Sequence, residues 1–125
     1  MNEFWITMLN NLTLIGIAFL LYIISVLANI FASCYYNIKN LGETFNKEKL
    51  IDGLKKALFV GLATAFTSIV ITSLPFVIKM FGIEIPSDVE FTFTIVTVFM
   101  LYFNGINKYT GEAIKTINNI LNGNK

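Results

Sequence analysis

Side chains that could carry catalysis or bind a metal ion are few in this sequence. It contains no His, all nine of its basic residues are Lys, and Cys34 is its one cysteine. Without imidazole it lacks the commonest metal ligand and the commonest general base at neutral pH. The acidic residues Glu43, Glu48 and Asp52 are interleaved with lysines, which is typical of a solvated helix face rather than of a metal site. We therefore expect no enzymatic activity, no bound metal and no cofactor.

The charge balance argues against nucleic acid as a partner. The net charge is +1 at pH 7, and no Arg supplies the guanidinium that bonds phosphates and bases in a bidentate way. Apolar residues make up 55% of the chain and charged residues 14%, against about 25% in a typical soluble domain. A soluble domain of 125 residues has too small a core to hide this apolar excess. The composition favours a lipid bilayer as the partner.

Three stretches without Asp, Glu, Lys or Arg define the elements that position the remaining polar side chains. They cover residues 4–38, 57–78 and 91–107, and are 35, 22 and 17 residues long. A helix needs about 20 apolar residues to cross the hydrocarbon core of a bilayer. The pattern predicts one all-α integral membrane domain, residues 1–125, with three transmembrane helices built around these charge-free stretches. The predicted spans are about 12–33, 57–80 and 89–107.

Two shorter segments have an amphipathic pattern. Residues 46–56 are predicted to form a cytoplasmic connector helix that lies at the membrane surface and leads into the second span. Its apolar face consists of Phe45, Leu50, Ile51, Leu54 and Leu58. Residues 110–121 are predicted to form a C-terminal helix with an apolar face of Ala113, Ile117, Ile120 and Leu121. This tail either lies on the membrane or bundle, which we favour, or associates with a second copy.

The start of the third helix has a recognisable sequence signal. Ser87-Asp88-Val89-Glu90 has the pattern of a capping box. In that motif the Ser87 hydroxyl bonds the amide of Glu90, and the Glu90 carboxylate bonds the amide of Ser87. The pattern predicts that the third helix begins at Ser87, and it carries no chemistry of its own.

Lysine asymmetry predicts an orientation. Eight lysines flank the side of the membrane that holds the connector and the tail, and only Lys79 lies on the other side. The eight are Lys39, Lys47, Lys49, Lys55, Lys56, Lys108, Lys115 and Lys125. Lysine-rich loops stay in the cytoplasm. We therefore expect a multi-pass protein of the bacterial cytoplasmic membrane with its amino terminus outside and its carboxyl terminus inside.

Each span has one face of small or hydrogen-bonding residues. The second span has a small-residue ladder, Gly53, Ala57, Gly61 and Ala65, and beside it a hydroxyl stripe, Thr64, Ser68 and Thr72. The first span has a polar row, Ser25, Asn29 and Ser33, and the third has Thr94, Thr97 and Asn104. Such faces let membrane helices approach closely and bond one another. They either pack the three helices of one chain, or mediate homo-oligomers and line a pore.

The order of these parts resembles a three-span phage holin with its amino terminus outside. It is similar to short holin-like proteins of phages and prophages of Gram-positive bacteria. The likeness is carried by residues 45–58 (FNKEKLIDGLKKAL), by Leu74-Pro75, by Gly82-Ile83-Glu84 and by residues 108–114 (KYTGEAI). The resemblance implies accumulation in the cytoplasmic membrane, then assembly of copies into holes that release an endolysin. The resemblance implies no catalytic residue and no direct contact between this chain and the endolysin.

A second function fits the same sequence pattern. The chain could be an anchor or accessory subunit of a larger membrane complex that forms no pore. In that case its polar faces would be covered by a partner, and its expression would be harmless to the cell. Spacing alone does not separate this function from the holin function, because both use the same small and hydrogen-bonding residues at helix contacts.

Overall fold

The computed structural model describes residues 2–42, 44 and 46–123, with side chains from residue 5 onward. Its three α-helices are α1 (Asn2–Tyr35), α2 (Lys47–Met80) and α3 (Ser87–Leu121), and a π-helical turn, Tyr36–Asn40, follows α1. The described residues contain no strand. All three helices are long and apolar enough to cross a bilayer. The prediction of an all-α fold with three such helices is confirmed.

The helices run up, down and up, and each of them contacts the other two. Each is 34 or 35 residues long. At 1.5 Å per residue this is about 50 Å, which exceeds the roughly 30 Å of a hydrocarbon core. Below, the connector end is the end of the bundle that holds residues 36–42, 44 and 46, and the turn end is the end that holds residues 81–86.

The core forms where apolar side chains recur at helical spacing on the facing surfaces. The central buried cluster consists of Ile15, Tyr22, Val26, Ala57, Val98 and Tyr102. Intervals of seven and four residues place the α1 members of this cluster on one face. The outer surface is also apolar, since the side chains of Phe31, Phe59 and Phe66 are 65–72% exposed. A bundle that is apolar inside and outside suits a lipid surrounding.

The two amphipathic segments are continuous with the helices next to them. The predicted connector, residues 46–56, forms the first turns of α2, where the Asn46 side chain accepts a hydrogen bond from the Lys49 amide at 3.1 Å. The predicted tail, residues 110–121, continues α3 without a break after the third span. Neither junction contains Pro, so each helix keeps its internal hydrogen bonds. Phe45, assigned to the connector face, lies outside the described residues.

The third helix begins at Ser87 as the sequence predicts, but the capping box does not form. Pro86 is the N-cap residue, and no side chain caps the helix. The Glu90 amide donates to the Pro86 carbonyl at 3.1 Å, while the Glu90 carboxylate bonds the Lys79 ammonium. A charged donor is a stronger partner for a carboxylate than a backbone amide is. The capping-box prediction is therefore wrong because it overlooked Lys79.

Candidate functional site in the polar interior of the bundle

Tyr22 of α1 lies between a glycine of α2 and a glycine of α3. A Cβ atom added to Gly61 would lie 2.8 Å from Phe19 Cε2 and 2.9 Å from Tyr22 Cε2. One added to Gly105 would lie 2.7 Å from Tyr22 Cε1. Because a methyl group does not fit at either place, the two glycines let three backbones meet around one ring. We call Tyr22, Gly61 and Gly105 the tyrosine–glycine layer.

Two tyrosines of α3 pack against this layer. The ring centroids of Tyr102 and Tyr109 each lie 5.9 Å from that of Tyr22, in tilted and edge-on arrangements. The Tyr102 hydroxyl donates to the Gly61 carbonyl at 3.0 Å. The Tyr22 hydroxyl is buried and has no hydrogen-bond partner among the described residues. The centre of the bundle therefore holds one satisfied and one unsatisfied tyrosine hydroxyl.

The two buried hydroxyls predict opposite effects of the same small change. Tyr102→Phe removes a buried hydrogen bond and is expected to lower the free energy of unfolding by about 1 kcal/mol. Tyr22→Phe removes a buried donor that has no partner and is expected to leave stability unchanged or raise it by up to about 1 kcal/mol. The measurement is unfolding in detergent micelles by added SDS, followed by circular dichroism. Equal losses in the two variants would contradict the assignment of the Tyr22 hydroxyl as unpaired.

The hydroxyl stripe of α2 faces the neighbouring helices. Ser68 and Thr72 are 0% and 3% exposed, and Thr64 is half-buried. Each hydroxyl donates to the carbonyl four residues earlier in its own helix, at 2.7–2.8 Å. Since the acceptor belongs to the same helix, these hydrogen bonds do not depend on α1 or α3. Helix α2 can change its neighbours without leaving the three hydroxyls unpaired.

The polar rows of α1 and α3 are partly buried. Ser25 is 6% exposed and donates to the Tyr22 carbonyl at 2.6 Å. Thr94 is 1% exposed and donates to the Glu90 carbonyl at 3.1 Å. Ser33 and Thr97 are half-buried. These two rows therefore follow the same rule as the hydroxyl stripe, because their buried hydroxyls are satisfied within their own helices.

The structure separates some residues that the spacing had grouped. In the small-residue ladder, Ala57 and Gly61 are buried and Ala65 is half-buried, whereas Gly53 is exposed with open space around it. Asn104 is exposed on the outer side of α3, although its row mate Thr94 is buried. Ten residues at 100° each rotate a side chain by about 80° from its starting direction. The two residues consequently face different surroundings.

A carboxylate that the sequence placed outside the spans lies beside α1. Asn29 Nδ2 donates to Glu112 Oε2 at 3.1 Å. Because α3 continues through residue 112, Glu112 lies next to α1 at the level of Asn29, ten residues before Lys39. The Asn29–Glu112 contact was not predicted from the sequence. Only the relative register of α1 and α3 reveals it, and packing sets that register.

An ion pair joins α2 to α3 at the turn end. Lys79 Nζ bonds the Glu90 carboxylate across the turn of residues 81–86. The Glu90 side chain is 8% exposed and that of Lys79 is 35% exposed. The sequence signal was available, since Lys79 lies two residues before this loop and Glu90 four residues after it. It was missed because Glu90 had been assigned to the capping box.

Cavities whose lining includes polar side chains lie at both ends of the bundle. The cavity at the connector end has a volume of about 410 Å³, and its polar lining includes Asn29, Ser33, Asn37, Asn46 and Lys49. The cleft at the turn end has about 540 Å³ and includes Thr7, Asn10, Asn11, Lys79 and Ser87. The tyrosine–glycine layer lies between them along α1. Across the described part of the chain, no group of three His, Cys, Asp or Glu is placed to hold a metal ion.

Comparison with protein-family models, with curated proteins and with solved structures finds no match to this chain.

Proposed function

We propose that this chain is a holin-like protein of the bacterial cytoplasmic membrane. In this proposal the amino terminus is outside and the carboxyl terminus is in the cytoplasm, in agreement with the lysine asymmetry. Copies accumulate as closed bundles and then assemble into homo-oligomers. The resulting lesions let an endolysin cross the membrane without direct contact, and the cell lyses.

The observation that carries the proposal is the self-contained hydrogen bonding of the hydroxyl stripe. In the closed bundle, Ser68 and Thr72 are buried and Thr64 is half-buried, which suits a protein that accumulates harmlessly. Their acceptors travel with α2. Turning this stripe toward water in an oligomer therefore breaks none of these hydrogen bonds, and it adds hydrogen bonds to water. A helix face whose hydroxyls bond within α2 therefore suits both the closed bundle and the open oligomer.

The two cavities support the same proposal. Each brings polar side chains into the bundle from one end, and the tyrosine–glycine layer separates them. Water in membrane proteins follows polar linings and is stopped by tightly packed apolar layers. In the proposed closed state, this layer keeps the bundle impermeable. Separation of α1 from α2 and α3 at this layer would remove the barrier.

The connector segment has a specific place in this proposal. Residues 47–56, the first turns of α2, lie at the cytoplasmic surface with their lysines toward the headgroups. Lys55 and Lys56 are exposed, while Leu54 is half-buried against the bundle. This arrangement anchors the lysine-rich end in the cytoplasm, which fixes the direction of α2.

Controlled expression in bacteria tests the proposal. The chain is induced together with a cytoplasmic endolysin, and membrane potential is followed with a dye as the culture grows. We expect normal growth, then abrupt depolarisation and lysis. Steady growth at high membrane levels of the protein would overturn the holin proposal and favour the anchor or accessory-subunit function.

A variant pair tests the hydroxyl stripe directly. The triple change Thr64→Val, Ser68→Ala and Thr72→Val removes the hydroxyls and is expected to delay lysis strongly or abolish it, while the bundle still folds. The matched control is Thr67→Val. Thr67 also bonds its own helix, to the Ala63 carbonyl at 2.8 Å, but it is exposed. We expect unchanged lysis timing in the control, and equal delays in both variants would contradict the role of the stripe.

A further inference from the structure

The outer face of α3 carries a heptad-spaced row that no other part of the described chain covers. Its members are Thr97, Met100, Asn104, Asn107, Gly111, Ile114, Asn118 and Leu121. All are exposed except Thr97, which is half-buried. Alternating steps of three and four residues are the spacing of the contact seam in a coiled coil. We call this row the α3 seam.

The seam has the chemistry of a self-complementary contact. None of its eight members is charged, although Lys108, Glu112 and Lys115 lie beside it on the same helix. Gly111 has no heavy atom within 4 Å of the place where a Cβ would stand, so a second backbone can approach there. The α3 seam is therefore one continuous uncharged face that runs from the apolar part of α3 into its polar tail.

Asn104 is the member that most needs a partner. It is exposed one residue before Gly105, which faces the Tyr22 ring midway along α1. Its amide makes no side-chain hydrogen bond to another described residue, and an amide facing hydrocarbon is costly. An amide both donates and accepts, so two copies of Asn104 satisfy each other.

The tail supplies a second observation. Ile114 and Leu121 are 54% and 77% exposed although they follow the charged residues Lys108 and Glu112. Ala113 is 3% exposed, and Glu112 accepts the bond from Asn29, so the tail is held along the bundle. A tail held this way does not lie flat on the membrane. Its exposed apolar side chains therefore need another apolar surface to pack against.

We propose that the α3 seam is the interface between two copies of this chain, packed in parallel and in register with Asn104 against Asn104. Copies that share one orientation in the membrane present parallel α3 helices to each other. An Asn at such a seam position favours the matched register because it pairs with its own equivalent. The inference rests on the proposed function for its biological purpose, since holes require copies to meet, and it names the first contact between them.

Cysteine cross-linking in membranes tests the interface, in a chain whose Cys34 is replaced by Ser. The test pair is Met100→Cys on the seam and Phe99→Cys beside it. The native side chains are 69% and 66% exposed, at the same depth and about 100° apart around the helix. Under mild oxidation we expect several-fold more disulfide-linked dimer from Met100→Cys. Equal dimer yields, or more from Phe99→Cys, would overturn the inference.

Changes at Asn104 test the amide contact within the Met100→Cys chain. Asn104→Leu is expected to lower dimer yield about tenfold, and Asn104→Gln, which keeps an amide, is expected to retain most of it. An Asn104→Leu chain that cross-links as well as its parent would overturn the role of the amide. Because Asn104 is exposed, neither change affects the packing inside the bundle.

Ile114→Cys and Lys115→Cys repeat the comparison in the tail. We expect dimers from Ile114→Cys only, and a reversed preference would exclude a seam that continues past the membrane. These readouts separate the two proposals. Cross-links at the α3 seam without lysis would support the proposed interface and contradict the proposed holin function. Lysis without cross-links at the α3 seam would support the holin function and contradict the proposed interface.

Discussion

Replacing Lys79 with Met is expected to lower the free energy of unfolding of the bundle by about 3 kcal/mol. The change leaves the Glu90 carboxylate, whose side chain is 8% exposed, without its charged partner. Glu90→Gln is expected to cost less, about 1 kcal/mol, because Lys79 is 35% exposed and its ammonium can reach water. The measurement is unfolding by SDS in detergent micelles, followed by circular dichroism.

The decisive result is which variant, Lys79→Met or Glu90→Gln, loses more free energy of unfolding. The double variant Lys79→Met with Glu90→Gln should recover most of the loss seen in Lys79→Met alone, because no buried charge then remains unpaired. A Glu90→Gln loss as large as that of Lys79→Met would show that the pair is balanced and that Glu90 is not the vulnerable partner.

Adding a methyl group within the tyrosine–glycine layer is expected to have the second large effect. Gly61→Ala and Gly105→Ala should each lower the free energy of unfolding by about 1–3 kcal/mol, because the Tyr22 ring must move. The added Cβ atoms would otherwise lie 2.9 Å and 2.7 Å from ring carbons of Tyr22. If the layer also closes the pathway between the two cavities, both variants should depolarise cells earlier than the parent chain does.

Gly53→Ala is the matched control for these changes. Gly53 belongs to the same ladder as Gly61 but has no heavy atom within 4 Å of an added Cβ. Alanine is a better helix former than glycine, so this variant should be as stable as the parent or up to about 1 kcal/mol more stable. Similar losses for Gly53→Ala and Gly61→Ala would contradict the layer and point to a general need for glycine in α2.

The pattern of charges was sufficient to predict three helices long and apolar enough to cross a bilayer. Three gaps in the charge sequence predict three apolar helices, since an apolar helix is the one simple element that satisfies its backbone within lipid. The structure has these helices. The sequence predicted a connector helix that leads into the second span and a C-terminal helix after the third. In the structure, α2 and α3 continue through residues 47–56 and 110–121.

Spacing along one helix grouped polar and small residues by helix face, and the structure shows which of these faces are buried. Ser68, Thr72 and Thr94 are buried and bond their own helices. Asn104 and Gly53 were grouped with buried residues of the same helices, whereas Asn104 is exposed and Gly53 has open space around it. A stripe that follows one helix for several turns winds around it, so its two ends face different neighbours.

The sequence by itself determined that this protein consists of long apolar helices and how many there are. These properties follow from composition and spacing along a single helix. Only the tertiary structure decided the partners of individual residues: Glu90 pairs with Lys79, Glu112 with Asn29, and Tyr22 lies between two glycines. Such partnerships depend on the register between helices, which is set by how whole surfaces fit together and not by the spacing within either helix.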